Sequence, residues 1–329
     1  MGLMVTAIAP TRISLLGGGT DVGEYQAKYG GLVLSLAINI RQKVEIKDGP
    51  FGEGVPFVGF QELPEGSDDD FYKAFLKEFG LYWNGDMKTA KDQPRGIVLS
   101  SWFDGQITGG IGSSASAAVA LIGAISKYKN LNMTRDQIAE RAWDIEVNNL
   151  GLFGGKQDQY AAVYGGLNAM EFKEKVTVTP LTVKLIEPIL SYMMLFHTPN
   201  RKQPKIQEGL KKVEPRQVQA LDFIKQSVIE GIEILQAKNP EAFGNLLKAV
   251  WEAKKVSNAV TTRGIDDLFE KATKAGAMGG KLMGSGGGGY MFFLVPPDKQ
   301  FNFKKDFCSK EVKWIDFSPD WNGLETRII

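Results

Sequence analysis

Residues 5–8, 33–38 and 43–46, apolar in runs or at alternate positions, have strand length, so the chain opens strand-rich before a polar stretch with Gly and Pro over 48–70. Phe71, Ala74, Phe75 and Phe79 then fall on one face of a short helix over 71–79. A strand over 97–101 leads towards a run of glycines and serines, and an Ala/Val-rich helix follows over 115–127. Thr134 and Gln137 have the spacing of a capping box, which opens a helix reaching about residue 147. A further helix over 157–164 stops at Gly165-Gly166, and 167–172 is extended.

The pattern restarts at residue 176. Strands over 176–181 and 192–197 precede Pro- and Lys-rich sequence, and helices follow over 217–238, 240–257 and 266–275. The glycine run 284–289 leads into a buried strand over 290–295. Strands and helices mixed in this way predict an α+β fold with a boundary near residue 175, dividing the chain into domains 1–175 and 176–329.

With 329 residues there is sequence enough for two cores. A formal net charge of +1 gives no reason to expect nucleic acid or an anionic membrane as a partner. A single cysteine, Cys308, excludes an intrachain disulfide, and the single histidine, His197, leaves almost no material for a zinc site or a Cys–His nucleophile. The apolar residues 1–10 lack the basic region and cleavage site of a signal peptide, and no apolar stretch approaches membrane-spanning length. A cytoplasmic protein is the expectation.

Three glycine clusters hold the candidate chemistry. Gly109-Gly110-Ile111-Gly112-Ser113-Ser114 runs into the small-residue helix. Bare backbone at a helix N-terminus offers N–H donors and the positive dipole end to phosphate, and the hydroxyls can donate to phosphate or ligate Mg²⁺. An ordinary helix cap has the same composition. A Walker A loop does not fit, since its best candidate, Gly280-Lys281, is followed by Leu282 and has Ala275 in place of the first glycine. A dinucleotide fingerprint does not fit either, because the preceding strand ends well before the glycines. Gly17-Gly18-Gly19-Thr20 lies between Arg12 and Asp21, which either pair with each other or present a guanidinium to phosphate and a carboxylate to substrate hydroxyls. The third cluster, residues 279–289, is costly to order, which implies positive φ at several positions or a chain or ligand against bare backbone.

Two carboxylates stand out. Glu146 follows Ala139 by seven and Ala142 by four, on the small, apolar helix face, as half of a buried ion pair or as a Mg²⁺ ligand facing the phosphate loop. Asp158 follows Gly154-Gly155-Lys156-Gln157 at the start of its helix. It is either a favourable charge at a helix N-terminus or the acceptor of a hydroxyl proton during phosphoryl transfer. Arg201-Lys202 put two cations on a loop beyond the strand that ends at His197, solvated or facing an anion, and His197 itself reads as structural.

In order and spacing the clusters resemble the three motifs of the GHMP kinases, the superfamily of galactokinase, homoserine kinase, mevalonate kinase and phosphomevalonate kinase. Residues 9–21 resemble the first motif, 110–115 the second and 279–290 the third. The Gly-Gly-Gly-Thr-Asp form of the first, the Gly-Gly-Lys-Gln-Asp-Gln-Tyr-Ala-Ala segment at 154–162 and Gly-Gly-Gly-Gly-Tyr at 286–290 are most similar to the D-glycero-D-manno-heptose 7-phosphate kinases.

The resemblance implies a ribosomal-protein-S5-like N-terminal domain and a ferredoxin-like C-terminal domain, with ATP and sugar between them. It implies Gly109, Gly110, Gly112, Ser113 and Ser114 around the ATP phosphates, Ser113 and Glu146 on Mg²⁺, Asp158 at the acceptor hydroxyl and Arg12 on the developing phosphoryl charge. Gly18, Gly19, Thr20 and Asp21, with Gly286 and Gly287, would bind the sugar, while Arg201 and Lys202 would face the phosphate it already carries. The implied reaction is ATP-dependent phosphorylation of the anomeric hydroxyl of a heptose 7-phosphate. The alternatives are another acceptor, such as an unphosphorylated sugar or a mevalonate-like acid, and a catalytically silent sugar- and nucleotide-binding regulator. Glu146 and Asp158 together favour an enzyme, since binding alone needs no proton acceptor. One departure is that Gln106-Ile107-Thr108-Gly109 stands where the family usually has Pro-Pro-Gly-Ser, which removes two fixed φ angles.

Overall fold

The computed structural model describes residues 2–49, 58–60, 69–81, 97–105, 109–198, 211–258, 261–284 and 286–329. Two long strands, β1 (Met4–Leu16) and β2 (Gly31–Asp48), pair antiparallel along most of their length. The three short strands expected here are therefore two long ones, because the polar residues that interrupt the apolar pattern are satisfied from the far end of the chain. Asn39 exchanges hydrogen bonds with Ser318, and Arg41 pairs with Asp320 at 2.5 Å. A register shift between Pro10 and Thr11 falls at the proline, whose nitrogen has no hydrogen to donate to the ladder.

Five more strands complete this sheet: β3 (Val58–Phe60), β4 (Ile97–Phe103), β5 (Leu167–Phe172), β6 (Val176–Leu181) and β11 (Glu325–Ile328). The order is β11-β1-β2-β4-β3, with β5 also on β2 and β6 on β5. All pairs are antiparallel except β3 with β4. The Ser113–Tyr128 helix lies on β1 and β2, buried on every side over residues 115–126, and its alanines let the strands and two neighbouring helices approach closely. One neighbour opens with the expected capping box at Thr134 and Gln137. It is α-helical only over Arg135–Asp144, then widens into a π turn over Ile145–Asn149, where Leu150 N–H donates to the Ile145 carbonyl five residues back.

The second sheet is antiparallel, in the order β10-β7-β9-β8, from β7 (Met193–Thr198), β8 (Gly279–Leu282), β9 (Gly289–Leu294) and β10 (Lys313–Ile315). One of its clusters is aromatic, with Phe196, Phe293, Phe303 and Phe307 in ring contact. The expected long helices are Pro215–Gln236, Pro240–Asn258 and Arg263–Lys274. Three shorter helices without a strong sequence signal join them: Gly23–Tyr29, Val183–Leu190 and Gln300–Phe307.

The two sheets share a core. Ile13, Leu34 and Leu36 of the first sheet belong to one hydrophobic cluster with Leu195, Phe292 and Leu294 of the second and with Phe243 of the helix layer. Residue 175 does not separate the sheets, because β6 pairs with β5 and β11 returns to β1. Of the helices in the described residues, none is long and apolar enough to cross a membrane.

Candidate active site

The second glycine cluster turns into its helix through left-handed backbone. Gly110 has φ 79° and Gly112, the residue before the helix, φ 75°, so the loop reverses where side chains would resist it. Ser113 is buried and its Oγ accepts from Gly109 N–H at 3.3 Å, while Ser114 is exposed. Residues 106–108, where the family's prolines would be, lie outside the described residues.

The third cluster packs on the second. A Cβ on Gly284 would stand 2.5 Å from Gly110 Cα, so two bare backbones are in contact there. This satisfies both expectations for the cluster, since Gly284 and Gly286 to Gly289 all have positive φ. Between the three clusters lies a cavity of about 390 Å³, lined by Gly18 and Gly19 of the first, residues 109, 110 and 112–115 of the second, and Gly284 of the third. Gly286 and Gly287 are not among its lining residues, and Ser285, Arg201 and Lys202 lie outside the described residues. Thr20 is also off the cavity. It is buried, and its hydroxyl donates to the Gly17 carbonyl at 2.8 Å and accepts from Leu32 N–H at 3.1 Å, which pins the loop instead of facing a ligand.

Arg12 pairs with Asp158, not with Asp21. Its Nε and Nη2 both reach Asp158 Oδ1 at 2.7 Å, and Nη1 donates to the Gly110 carbonyl at 2.8 Å. Arg12 is only 3% exposed, so one buried guanidinium ties the carboxylate to the second glycine cluster. Asp158 lies against Gly112, whose absent Cβ would be 3.1 Å from its Cγ. Asp21 accepts from Gly19 N–H at 3.2 Å and from the Gln157 side chain at 3.1 Å. Burial, then the nearby Asp158, pushes its carboxyl up to about 6.

Glu146 sits in the π turn, 5% exposed, and is not half of an ion pair among the described residues. Its Oε1 accepts from the Ser114 hydroxyl at 2.5 Å and its Oε2 from Gln159 Nε2 at 2.7 Å. The serine that touches Glu146 is thus Ser114 and not the neighbour named from the sequence, because successive side chains at a helix start diverge by about 100°. Burial is the main cause that raises the Glu146 carboxyl to about 7, partly offset by these two donors. A buried carboxylate facing only neutral donors fits a cation. Among the described residues no three His, Cys, Asp or Glu side chains gather as a metal cage.

Two further cations line the same cavity, and sequence reasoning missed them as site residues. Lys254 and Lys281 are 6% and 1% exposed. Lys254 follows the buried Val250 by four and Trp251 by three, a core-face position that the helical period makes visible. Lys281 lies inside the third cluster, where the glycines drew attention from it. His197, expected to be structural, is buried and is not among the residues lining this cavity. It packs edge-on against Tyr290 and is held below its ordinary value by burial, then by Lys313.

Residues 70–166 match the GHMP kinases N terminal domain and residues 232–313 the GHMP kinases C terminal domain. The chain belongs to the GHMP kinases. This GHMP kinase is 30% identical over 328 residues to a D-glycero-alpha-D-manno-heptose 7-phosphate kinase of Campylobacter jejuni, covering 96% of this chain and 97% of that protein. It is 26% identical over 319 residues to a mevalonate kinase of Thermococcus gammatolerans, covering 89% and 90%. Its structure aligns with the crystal structure of a D-glycero-D-manno-heptose 1-phosphate kinase from Bacteroides thetaiotaomicron at a TM-score of 0.77, with 26% identity and 99% of both chains covered. As a GHMP kinase the chain is an ATP-dependent phosphotransferase, of a family that generally uses a divalent metal ion.

Proposed function

We propose that this GHMP kinase transfers the γ-phosphoryl group of ATP to the anomeric hydroxyl of D-glycero-D-manno-heptose 7-phosphate. The observation that carries the reading is the Arg12–Asp158 pair, which sets a proton-accepting carboxylate and a phosphoryl-stabilising guanidinium side by side, both anchored to the phosphate loop. The 30% identity to a kinase of that name across nearly the whole chain supports the acceptor class.

In this mechanism the backbone N–H groups of the 109–114 loop and the helix that follows it hold the ATP phosphates. Asp158 orients the acceptor hydroxyl and takes its proton as the new O–P bond forms and the bond to ADP breaks. Arg12 neutralises charge on the transferring group and keeps Asp158 in place. Asp21, with Gly18 and Gly19, binds sugar hydroxyls. Glu146 with Ser114 or Ser113 would hold Mg²⁺, which when bound neutralises charge on the nucleotide phosphates. Arg201 and Lys202 are assigned to the sugar's existing phosphate, and use of ATP fits a cytoplasmic location.

The test is steady-state ATP turnover against heptose 7-phosphate, heptose 1-phosphate, unphosphorylated heptose and mevalonate. Heptose 7-phosphate is expected to give the highest kcat/KM, with the product's new phosphate on the anomeric oxygen by ³¹P NMR. The 1-phosphate has that oxygen occupied, so its turnover would require a different hydroxyl and a different product. Preference for mevalonate or for the unphosphorylated sugar would sink the reading.

A further inference from the structure

Lys254 and Lys281 are buried amines aimed into the cavity with only backbone carbonyls as partners among the described residues. Lys254 donates to the Gly284 carbonyl at 3.1 Å and the Leu282 carbonyl at 3.4 Å, and Lys281 to the Leu15 carbonyl at 3.4 Å. Lys281 Nζ lies beneath Gly18, 3.8 Å from where a Cβ would be. Asp21, Asp158 and Arg12 act on Lys254, and Asp21, Arg12 and Lys254 on Lys281, through space and without a hydrogen bond to either amine.

Each ammonium carries three donors, and carbonyls satisfy only part of that capacity. Taking two such groups out of water is expensive, and methionine would fill the same space at lower cost. Retaining both beside a third buried cation, Arg12, makes sense when an anion completes the set.

We propose that Lys254 and Lys281 form a phosphate subsite on the β8 side of the cavity, which takes either the phosphate that the acceptor carries or the phosphoryl group being transferred. The subsite rests on the kinase reading above, and its first form also on the acceptor being a sugar phosphate. In the free protein burial, then repulsion from Arg12, holds Lys254 down to about 8. Lys281 is held well below its ordinary value by burial, then by Lys254. An arriving dianion reverses the repulsion, so both amines take up protons as it binds.

The test compares Lys254→Met and Lys281→Met with the wild type on whichever acceptor the panel identifies. Both variants are expected to melt at or above the wild-type temperature. Loss of the acceptor's phosphate contact raises KM for the phosphorylated acceptor tenfold or more, while KM for ATP and for the unphosphorylated sugar stays put. Loss of the transition-state contact lowers kcat a hundredfold or more with either acceptor and leaves both KM values near wild type. Either pattern supports the subsite and says which group it holds. Folded variants with kcat and every KM within twofold of wild type overturn it. Should neither variant fold, calorimetry of the wild type with inorganic phosphate at pH 9 decides, in buffers of different ionisation enthalpy. Asp21 and Glu146 are already deprotonated there, phosphate is already the dianion, and backbone amides bind no proton. Net proton uptake supports the subsite, and its absence overturns it. If the panel shows that the acceptor carries no phosphate, the proposed substrate fails, and the kcat arm still tests the lysines.

Discussion

In the proposed mechanism Asp158 takes the acceptor's proton, and in the fold it is the counter-ion of buried Arg12, so its loss has two separable effects. Asp158→Asn is expected to lower kcat by roughly two orders of magnitude or more while ATP binding stays nearly intact. Buried Arg12 then loses its counter-ion, at a cost of about 1–3 kcal/mol in stability. Stopped assays with calorimetric ATP binding read the first effect and thermal melting the second, and near-normal turnover would remove Asp158 from the proton transfer. Glu146 predicts the opposite sign for stability. Its carboxyl lies near 7 in the fold against 4.5 unfolded, so the native state binds the extra proton between those values and the protein loses stability as pH rises through that window. Glu146→Gln should therefore melt higher than wild type at pH 8 without metal, by on the order of 1 kcal/mol, and the gain should vanish by about pH 4. The same variant should need more Mg²⁺ for half-maximal rate, and an unchanged Mg²⁺ dependence would refute its role as a ligand.

Among the elements, the three glycine turns work as one unit because their backbones touch. Gly112→Ala places an L-residue at φ 75° and a methyl 3.1 Å from Asp158 Cγ, so it should lower kcat and raise KM for ATP together. Gly284→Ala is the sharper test of coupling. Its methyl would meet Gly110 Cα at 2.5 Å, and a backbone atom cannot rotate aside. KM for ATP should rise about tenfold, although Gly284 belongs to the second sheet's half of the chain. An ATP KM equal to wild type would show that the loops move independently. The π turn at Ile145–Asn149 belongs to the same unit, since it carries Glu146, which faces Ser114 and Gln159.

For the whole molecule, the last strand closes the first sheet. β11 covers the outer side of β1, and Leu324 packs on the core beside Gly123. Deleting residues 324–329 should lower Tm by several degrees and expose β1 as an unpaired edge, with aggregation by light scattering as the readout. An unchanged Tm would mean that β11 adds nothing to the fold.

Sequence alone specified what depends on neighbours a few residues away. The Thr134 capping box, the alanine-rich helix, the long helices after residue 215 and the turns at the glycine clusters are local in this sense, and so was the apolar-face position of Glu146. What lay beyond it came from contacts between residues far apart. Arg12 chose Asp158, 146 positions away, over Asp21, nine positions away, because both flank the second glycine cluster once the sheet and helix are packed. Polar Asn39 and Arg41 became the middle of a strand because Ser318 and Asp320 come back to meet them. Lys281 entered the sequence reading only through a Walker A pattern that does not fit, and burial beneath Gly18 puts it on the cavity wall. A charge in a sequence has no stated environment, and its partner and solvent are set by the fold that surrounds it.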